Sequence, residues 1–97
     1  MSTVEGLLGI AARARKTVSG AMLMEAVRNK RVSLVLVASD ASDRSKKQFQ
    51  DKCTFYQIPC LIWGTIDQIS ATTGMHMRVA VGVNDRGLAK NILECLK

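Results

Sequence analysis

Residues 34–38, Leu-Val-Leu-Val-Ala, are apolar without interruption and rich in β-branched side chains. A run of this kind is typical of a central strand that is covered on both faces, because a strand with a solvent-facing side alternates polar and apolar residues. Residues 78–83 are predicted as a second buried strand, and residues 17–18 and 60–63 as shorter ones. The chain therefore has to supply helices for both faces of a small sheet.

The stretches between these strands have the spacing of amphipathic helices. In the first helix, apolar side chains repeat at i, i+3, i+4 and i+7 from Val4, after a capping-box sequence that begins at Ser2. Four more helices are predicted, over residues 20–28, 43–56 and 65–74 and in a last segment that Asn84 or Asp85 caps. Helices that alternate with short apolar strands predict the α/β class. We expect residues 1–97 to form a single domain, a three-layer α/β/α sandwich around a small mixed sheet.

The charge of the chain indicates a polyanionic partner. Fourteen Lys and Arg against eight Asp and Glu give a net charge of +6, which favours nucleic acid first and an anionic membrane surface second. A basic protein without such a partner is the alternative. The aromatic residues are few, and we predict all of them at core positions: Phe49, Phe55, Tyr56 and Trp63. Because base stacking needs exposed rings, we expect any nucleic-acid contact to use phosphates, backbone amides and helix ends.

The residues that carry catalytic or metal chemistry are scarce. His76 is the only histidine, and no phosphate-binding glycine-rich motif occurs. The cysteines, which are predicted as reduced core residues, have no metal-ligand spacing: Cys53, Cys60 and Cys95. The N-terminus does not resemble a signal peptide, and the longest apolar run is too short to span a bilayer. We therefore expect a cytoplasmic, monomeric protein without catalytic activity, metal, cofactor or small-molecule substrate.

The segment from Arg13 to Gly20 is the strongest candidate for a binding site. A basic cluster of Arg13, Arg15 and Lys16 closes the first helix, and Gly20 opens the second. A helix N-terminus presents unpaired N–H groups and a partial positive charge, which suit a phosphate. Arg28, followed by Lys30 and Arg31, forms a second basic group at the far end of this helix. A solvated basic surface without a ligand is the alternative interpretation.

Several strings of the chain resemble the ribosomal protein family of L-seven-Ae and L-thirty-e, most closely its small bacterial YlxQ-like branch. The resemblance extends from Leu7 to Leu96. Its strongest parts are residues 8–16 with the Ser19-Gly20 pair after them, and residues 34–42. It implies the α/β/α sandwich that the periodicity predicts. It also implies binding of kink-turn RNA, a sharply bent helix with tandem sheared G·A pairs, in a ribosomal or other ribonucleoprotein setting.

The resemblance also implies where this RNA is bound. The family's RNA-reading helix start corresponds to Ser19, Gly20, Ala21, Met22 and Glu25, and its apolar loop to Met75, His76 and Met77. Together with the basic residues, the predicted RNA-binding set is Arg13, Arg15, Lys16, Ser19, Gly20, Ala21, Met22, Arg28, Met75, His76, Met77 and Arg78.

This chain departs from the family at the helix start. Family members place Asn or Lys where this chain has Ala21, Glu or Gln where it has Met22, and commonly Lys where it has Glu25. Ala21 and Met22 cannot hydrogen-bond base edges, whereas phosphate contacts through Gly20 do not depend on a side chain. Two further hypotheses follow: a protein-interaction module of the same fold that has lost sequence-specific RNA readout, and, ranked last, an enzyme or the RNA-docking part of one.

Overall fold

A computed structural model describes residues 3–96 of the chain. Helices and strands alternate without a break along the described residues. In chain order they are α1 (Val4–Arg13), β1 (Thr17–Ser19), α2 (Ala21–Arg28), β2 (Leu34–Val37), α3 (Asp43–Phe55), β3 (Cys60–Ile62), α4 (Ile66–Thr73), β4 (Ala80–Val83) and α5 (Arg86–Cys95).

The four strands form a mixed sheet in the order β1-β4-β2-β3. The central strands β2 and β4 are antiparallel, with Leu34 opposite Val83, and every residue of both is buried. β3 runs parallel to β2, and β1 lies antiparallel to β4 at the opposite edge. Helix α1 contacts α4 and α5, and α2 contacts α3, which gives two helical layers. The predicted α/β/α sandwich around a small mixed sheet is confirmed.

Local hydrogen bonds fix where the helices begin and end. The predicted capping box of α4 is present, because Thr65 accepts from the backbone N–H of Gln68 and the Gln68 side chain accepts from that of Thr65. Gly74 ends α4 in the left-handed conformation, as predicted. Of the two candidate caps of α5, Asp85 is the one used. The predicted cap Ser2 lies outside the described residues, and the α1 cap is Thr3, whose hydroxyl accepts from Gly6 N–H.

Two side-chain predictions are wrong. Phe55 is 77% exposed, because it lies two residues after the buried Cys53 and therefore on the opposite side of α3. Cys95 is exposed, because the end of α5 borders an open cleft of about 350 Å³ beside Leu7. Cys60 is half-buried and packs against the core. The sheet also begins later than predicted at β4, since Arg78 precedes the strand.

The position of α2 on the sheet depends on Gly82 in β4. A Cβ atom at Gly82 would lie 2.7 Å from Cδ1 of Leu23 and 2.8 Å from Cγ1 of Val32. Leu23 and Val32 are themselves buried, so α2 packs directly onto the backbone of β4 at this point. No helix of the described chain is long and apolar enough to cross a membrane.

Candidate nucleic-acid interface

A groove of about 420 Å³ follows the edge strand β1. Its walls come from the end of α1, the start of α2 and the end of α4 with the loop after it. Eight residues line it: Ala12, Arg15, Thr17, Val18, Ser19, Met22, Thr73 and Met75. The groove thus joins segments that are more than sixty residues apart in the chain into one surface.

The backbone at the end of α1 places Arg15 at this groove. The N–H groups of Arg15 and Lys16 donate to the carbonyls of Ala12 and Ala11, at 3.1 and 2.8 Å, and close the helix. This closure requires the left-handed conformation at Arg15 (φ 58°), which glycine usually occupies. Arg13 and Lys16 are exposed on either side of Arg15 but do not line the groove. The end of α1 therefore brings one cation into the groove and keeps two next to it.

The start of α2 leaves its backbone donors without a side-chain cap. Gly20 is the N-cap residue, with φ 71° and ψ −147°, and no side chain accepts a hydrogen bond from the first turn. The prediction that Ser19 and Gly20 together cap this helix is wrong in part, because Ser19 is the last residue of β1. Ala21, Met22 and Glu25 are exposed in the first turns. The Leu23 N–H donates to the Gly20 carbonyl at 3.1 Å, whereas the N–H groups of Ala21 and Met22, which no side chain caps, are available to an anion.

Arg78 reaches the same helix end from the loop before β4. A Cβ atom at Gly20 would lie 3.0 Å from Nη1 and 3.5 Å from Nη2 of Arg78, so the guanidinium lies against the Gly20 backbone. The Arg78 N–H is fixed by a 2.8 Å hydrogen bond to Oγ of Ser70. Its Nε is buried and has no hydrogen-bond partner. A guanidinium beside a helix N-terminus is repelled by the helix dipole, and an anion would attract both.

The loop after α4 presents apolar side chains to solvent. Met75 is 46% exposed and Met77 67% exposed, and Met22 across the groove is 68% exposed. His76 is exposed between the two methionines, and Met77 has a left-handed backbone (φ 52°). Large exposed apolar side chains that are grouped on one surface are typical of a contact site.

The structure brings some of the predicted residues together and separates others. Arg15, Ser19, Met22 and Met75 line the groove, and Gly20 with Arg78 forms one contact at its end. Arg28 lies at the opposite end of α2 and lines no part of the groove. Four lining residues were not predicted from the sequence: Ala12, Thr17, Val18 and Thr73. Their only sequence signal is the short strand predicted at Thr17 and Val18, while Thr73 gives none.

The reactive side chains lie elsewhere in the fold. Among residues 3–96, no group of three or more His, Cys, Asp or Glu side chains could hold a metal ion. The Cys53 thiol of α3 hydrogen-bonds to Cys60 of β3, which lowers the pKa of Cys60. The same hydrogen bond, with burial, raises the pKa of Cys53. This thiol pair is on the far side of the sheet order from β1 and does not contribute to the groove.

The fold and the groove define a small α/β/α-sandwich protein with cations and exposed methionines around its edge strand. The chain is 38% identical over 91 residues to the RNA-binding protein YlxQ of Bacillus subtilis (strain 168), covering 93% of this chain and 91% of that protein. It is 36% identical over 92 residues to the RNA-binding protein YlxQ of Enterococcus faecium, covering 94% and 88%. The chain belongs to the YlxQ family.

Two solved structures share the fold. A protein with unknown function from Bacillus halodurans C superposes with a TM-score of 0.92 at 37% identity, over 99% of this chain and 98% of its own. The Giardia lamblia 15.5kD RNA binding protein superposes with a TM-score of 0.76 at 16% identity, over 94% and 78%, and this likeness concerns the fold alone. No protein-family model matches the chain.

Proposed function

We propose that this protein binds structured RNA of the kink-turn kind through the groove beside β1. The observation that carries the proposal is the convergence of Arg15, Met22 and Met75 on one groove, with Arg78 and the uncapped N-terminus of α2 at its end. The net charge of +6 favours a polyanion, and two relatives that are 38% and 36% identical to this chain over the aligned residues are named RNA-binding proteins.

Cations and apolar side chains have separate roles in this proposal. Arg15 and Arg78 contact phosphates, as do the backbone N–H groups at the start of α2. Met22 and Met75 pack against unstacked bases, because a thioether side chain adapts to flat apolar surfaces. The protein acts by binding, and the bent shape of the RNA matters more than side-chain readout at Ala21 and Met22.

A fluorescence-anisotropy titration tests the proposal. The purified chain, free of nucleic acid, is titrated with a labelled kink-turn RNA and with a control RNA whose G·A pairs are replaced by Watson–Crick pairs. Tighter binding to the kink-turn RNA is expected. Equal binding to both RNAs would reduce the proposal to general RNA binding, and binding to neither would refute it.

A triple variant tests the position of the site. Arg13→Ala, Arg15→Ala and Lys16→Ala together remove three cations beside the groove, and each lost phosphate contact lowers the slope of log K against log salt by about 0.7 to 0.9. The matched control removes three exposed cations from α3, with the same change in net charge: Arg44→Ala, Lys47→Ala and Lys52→Ala. We expect the first variant to bind RNA more weakly than the control. Equal affinities of the two variants would move the site away from the groove.

The exposed methionines also favour a second candidate function, the docking of another protein on the same groove. Apolar docking depends little on salt, whereas phosphate contacts weaken steeply as salt increases. Repeating the titration at two salt concentrations therefore separates the two functions.

A further inference from the structure

A second cleft, of about 260 Å³, lies at the opposite end of α2 from the groove. It is formed by the turn after α2 and the start of α5. Its lining is polar throughout: Lys30, Arg31, Ser33, Asn84, Asp85 and Arg86. Two backbone hydrogen bonds fix its floor, from Ser33 N–H to Val83 O at 2.8 Å and from Asn84 N–H to Lys16 O at 2.6 Å.

The charge of this cleft is positive. Lys30, Arg31 and Arg86 are exposed cations, and within residues 3–96 none of the three forms an ion pair with an acidic side chain. The single carboxylate, Asp85, accepts the Leu88 N–H at 2.8 Å as the cap of α5. Asp85 thus serves the helix end, and three cations against one carboxylate leave the cleft attractive to an anion.

Two of the three cations lie at positions that either the helix dipole or the backbone conformation disfavours. Arg86 is the first residue of α5, where the helix dipole repels a positive charge. Lys30 has a left-handed backbone (φ 54°), a conformation that glycine adopts more readily. The charge of Arg86 is therefore not explained by local folding, and a bound anion would account for it. Lys30 follows the C-terminus of α2, where the helix dipole favours a cation, so its charge fits both the fold and a bound anion.

The second cleft is close to the groove. α2 has eight residues and is therefore about 12 Å long. Strand β1 also runs from the cleft to the groove. Its first residue, Thr17, pairs with Val83 beside the cleft, and its last residue, Ser19, precedes Gly20 at the start of α2. Lys16, which bonds Asn84 through its carbonyl, lies between them. One nucleic-acid segment that occupies the groove can reach the cleft along this edge.

We infer that Lys30, Arg31 and Arg86 form a second phosphate-binding site, which holds the backbone of the same RNA beyond the groove. This inference rests on the proposed function. The polar lining, the open shape and the exposed cations fit a phosphate backbone, whose contacts position an RNA without reading its sequence.

The test compares two triple variants by anisotropy with the kink-turn RNA. Lys30→Ala, Arg31→Ala and Arg86→Ala remove the cleft cations, and the α3 triple variant described above is the control of equal charge. Three phosphate contacts contribute about 0.7 to 0.9 each to the slope of log K against log salt. Between about 50 and 200 mM salt, the affinity of the wild-type chain should therefore fall about 20- to 40-fold more than the affinity of the cleft variant. The α3 variant should keep the wild-type slope.

A single variant separates the loss of an RNA contact from a loss of folded protein. Lys30→Gly removes one cation and also relieves the left-handed backbone, so its melting temperature should rise while its RNA affinity falls. Weaker binding by a more stable protein cannot result from unfolding.

The outcomes separate the two proposals. If the wild-type chain binds the RNA and the cleft variant keeps the slope and affinity of the α3 variant, the second site is wrong and the proposed function stands. If the wild-type chain binds no RNA, both are overturned. A reduced slope confined to the cleft variant supports the second site.

Discussion

The replacement Gly20→Ala tests the link between the start of α2 and RNA binding. Gly20 has φ 71° and ψ −147°, a region of backbone conformation that is essentially restricted to glycine, and forcing another residue into it costs about 1 to 3 kcal/mol. The new Cβ would also lie 3.0 Å from Nη1 of Arg78, so the guanidinium has to move. The variant should therefore lose stability and displace Arg78 at the same time.

The two effects have different magnitudes and different assays. For a chain of this size, about 1 kcal/mol lowers the melting temperature by about 4 to 8 °C, which calorimetry detects readily. Loss of one hydrogen bond between Arg78 and a phosphate costs about 1.5 to 3 kcal/mol, or about ten- to a hundredfold in affinity. The titration is run well below the melting temperature of the variant, so that both proteins are folded.

Gly64→Ala is the matched control. Gly64 has a similar backbone angle (φ 66°), but its Cβ would meet Oε1 of Gln68, the capping-box acceptor of α4, at 3.2 Å, and it lies away from the groove. This variant should be destabilised and bind RNA as tightly as the wild type. A wild-type affinity of Gly20→Ala, or a loss of affinity in Gly64→Ala as large as that in Gly20→Ala, would refute the link between the start of α2 and RNA binding.

Two further predictions concern the packing of α2 and the thiol pair. Gly82→Ala should destabilise the chain by about 1 to 3 kcal/mol through overpacking against Leu23. In a double-mutant cycle measured by chemical denaturation, Leu23→Ala should offset part of this loss of stability. Strictly additive losses would contradict the contact. The hydrogen bond from Cys53 lowers the pKa of Cys60. Cys53→Ala removes this bond and should therefore slow the alkylation of Cys60 at neutral pH, measured in a Cys95→Ser background so that Cys60 is the thiol that reacts. An unchanged alkylation rate would argue against the bond.

The parts of the fold that the sequence predicts well depend on residues close together in the chain. The Thr65 capping box and the Gly74 helix end were predictable because their partners lie within four residues. The strand β2 was predictable because an uninterrupted apolar run rich in β-branched residues indicates a strand that is covered on both faces, and all four of its residues are buried. Phe55 could not be placed by composition alone, since its exposure depends on which face of α3 packs against the sheet.

The candidate site was predictable only in pieces. Arg15 and Met75 belong to separate strings, and the groove joins them because β1 pairs with β4 and α1 packs against α4. The contact between Gly20 and Arg78 spans 58 residues and depends on the same pairing, so no local pattern indicates it. The left-handed backbone at Arg15 was likewise hidden, because a cation gives no sign of a position that suits glycine.

The helix dipoles separate four of the arginines into two groups. Arg13 and Arg28 lie in the last turns of α1 and α2, where a positive charge stabilises a helix by about 0.3 to 1 kcal/mol, so folding alone accounts for them. Arg78 lies against the start of α2 and Arg86 is the first residue of α5, where the same dipole opposes the charge. A phosphate at either position attracts both the guanidinium and the helix N-terminus, and so converts a repulsion within the free protein into part of the binding energy. The cations that cost the free protein stability are therefore the ones whose placement an RNA ligand explains.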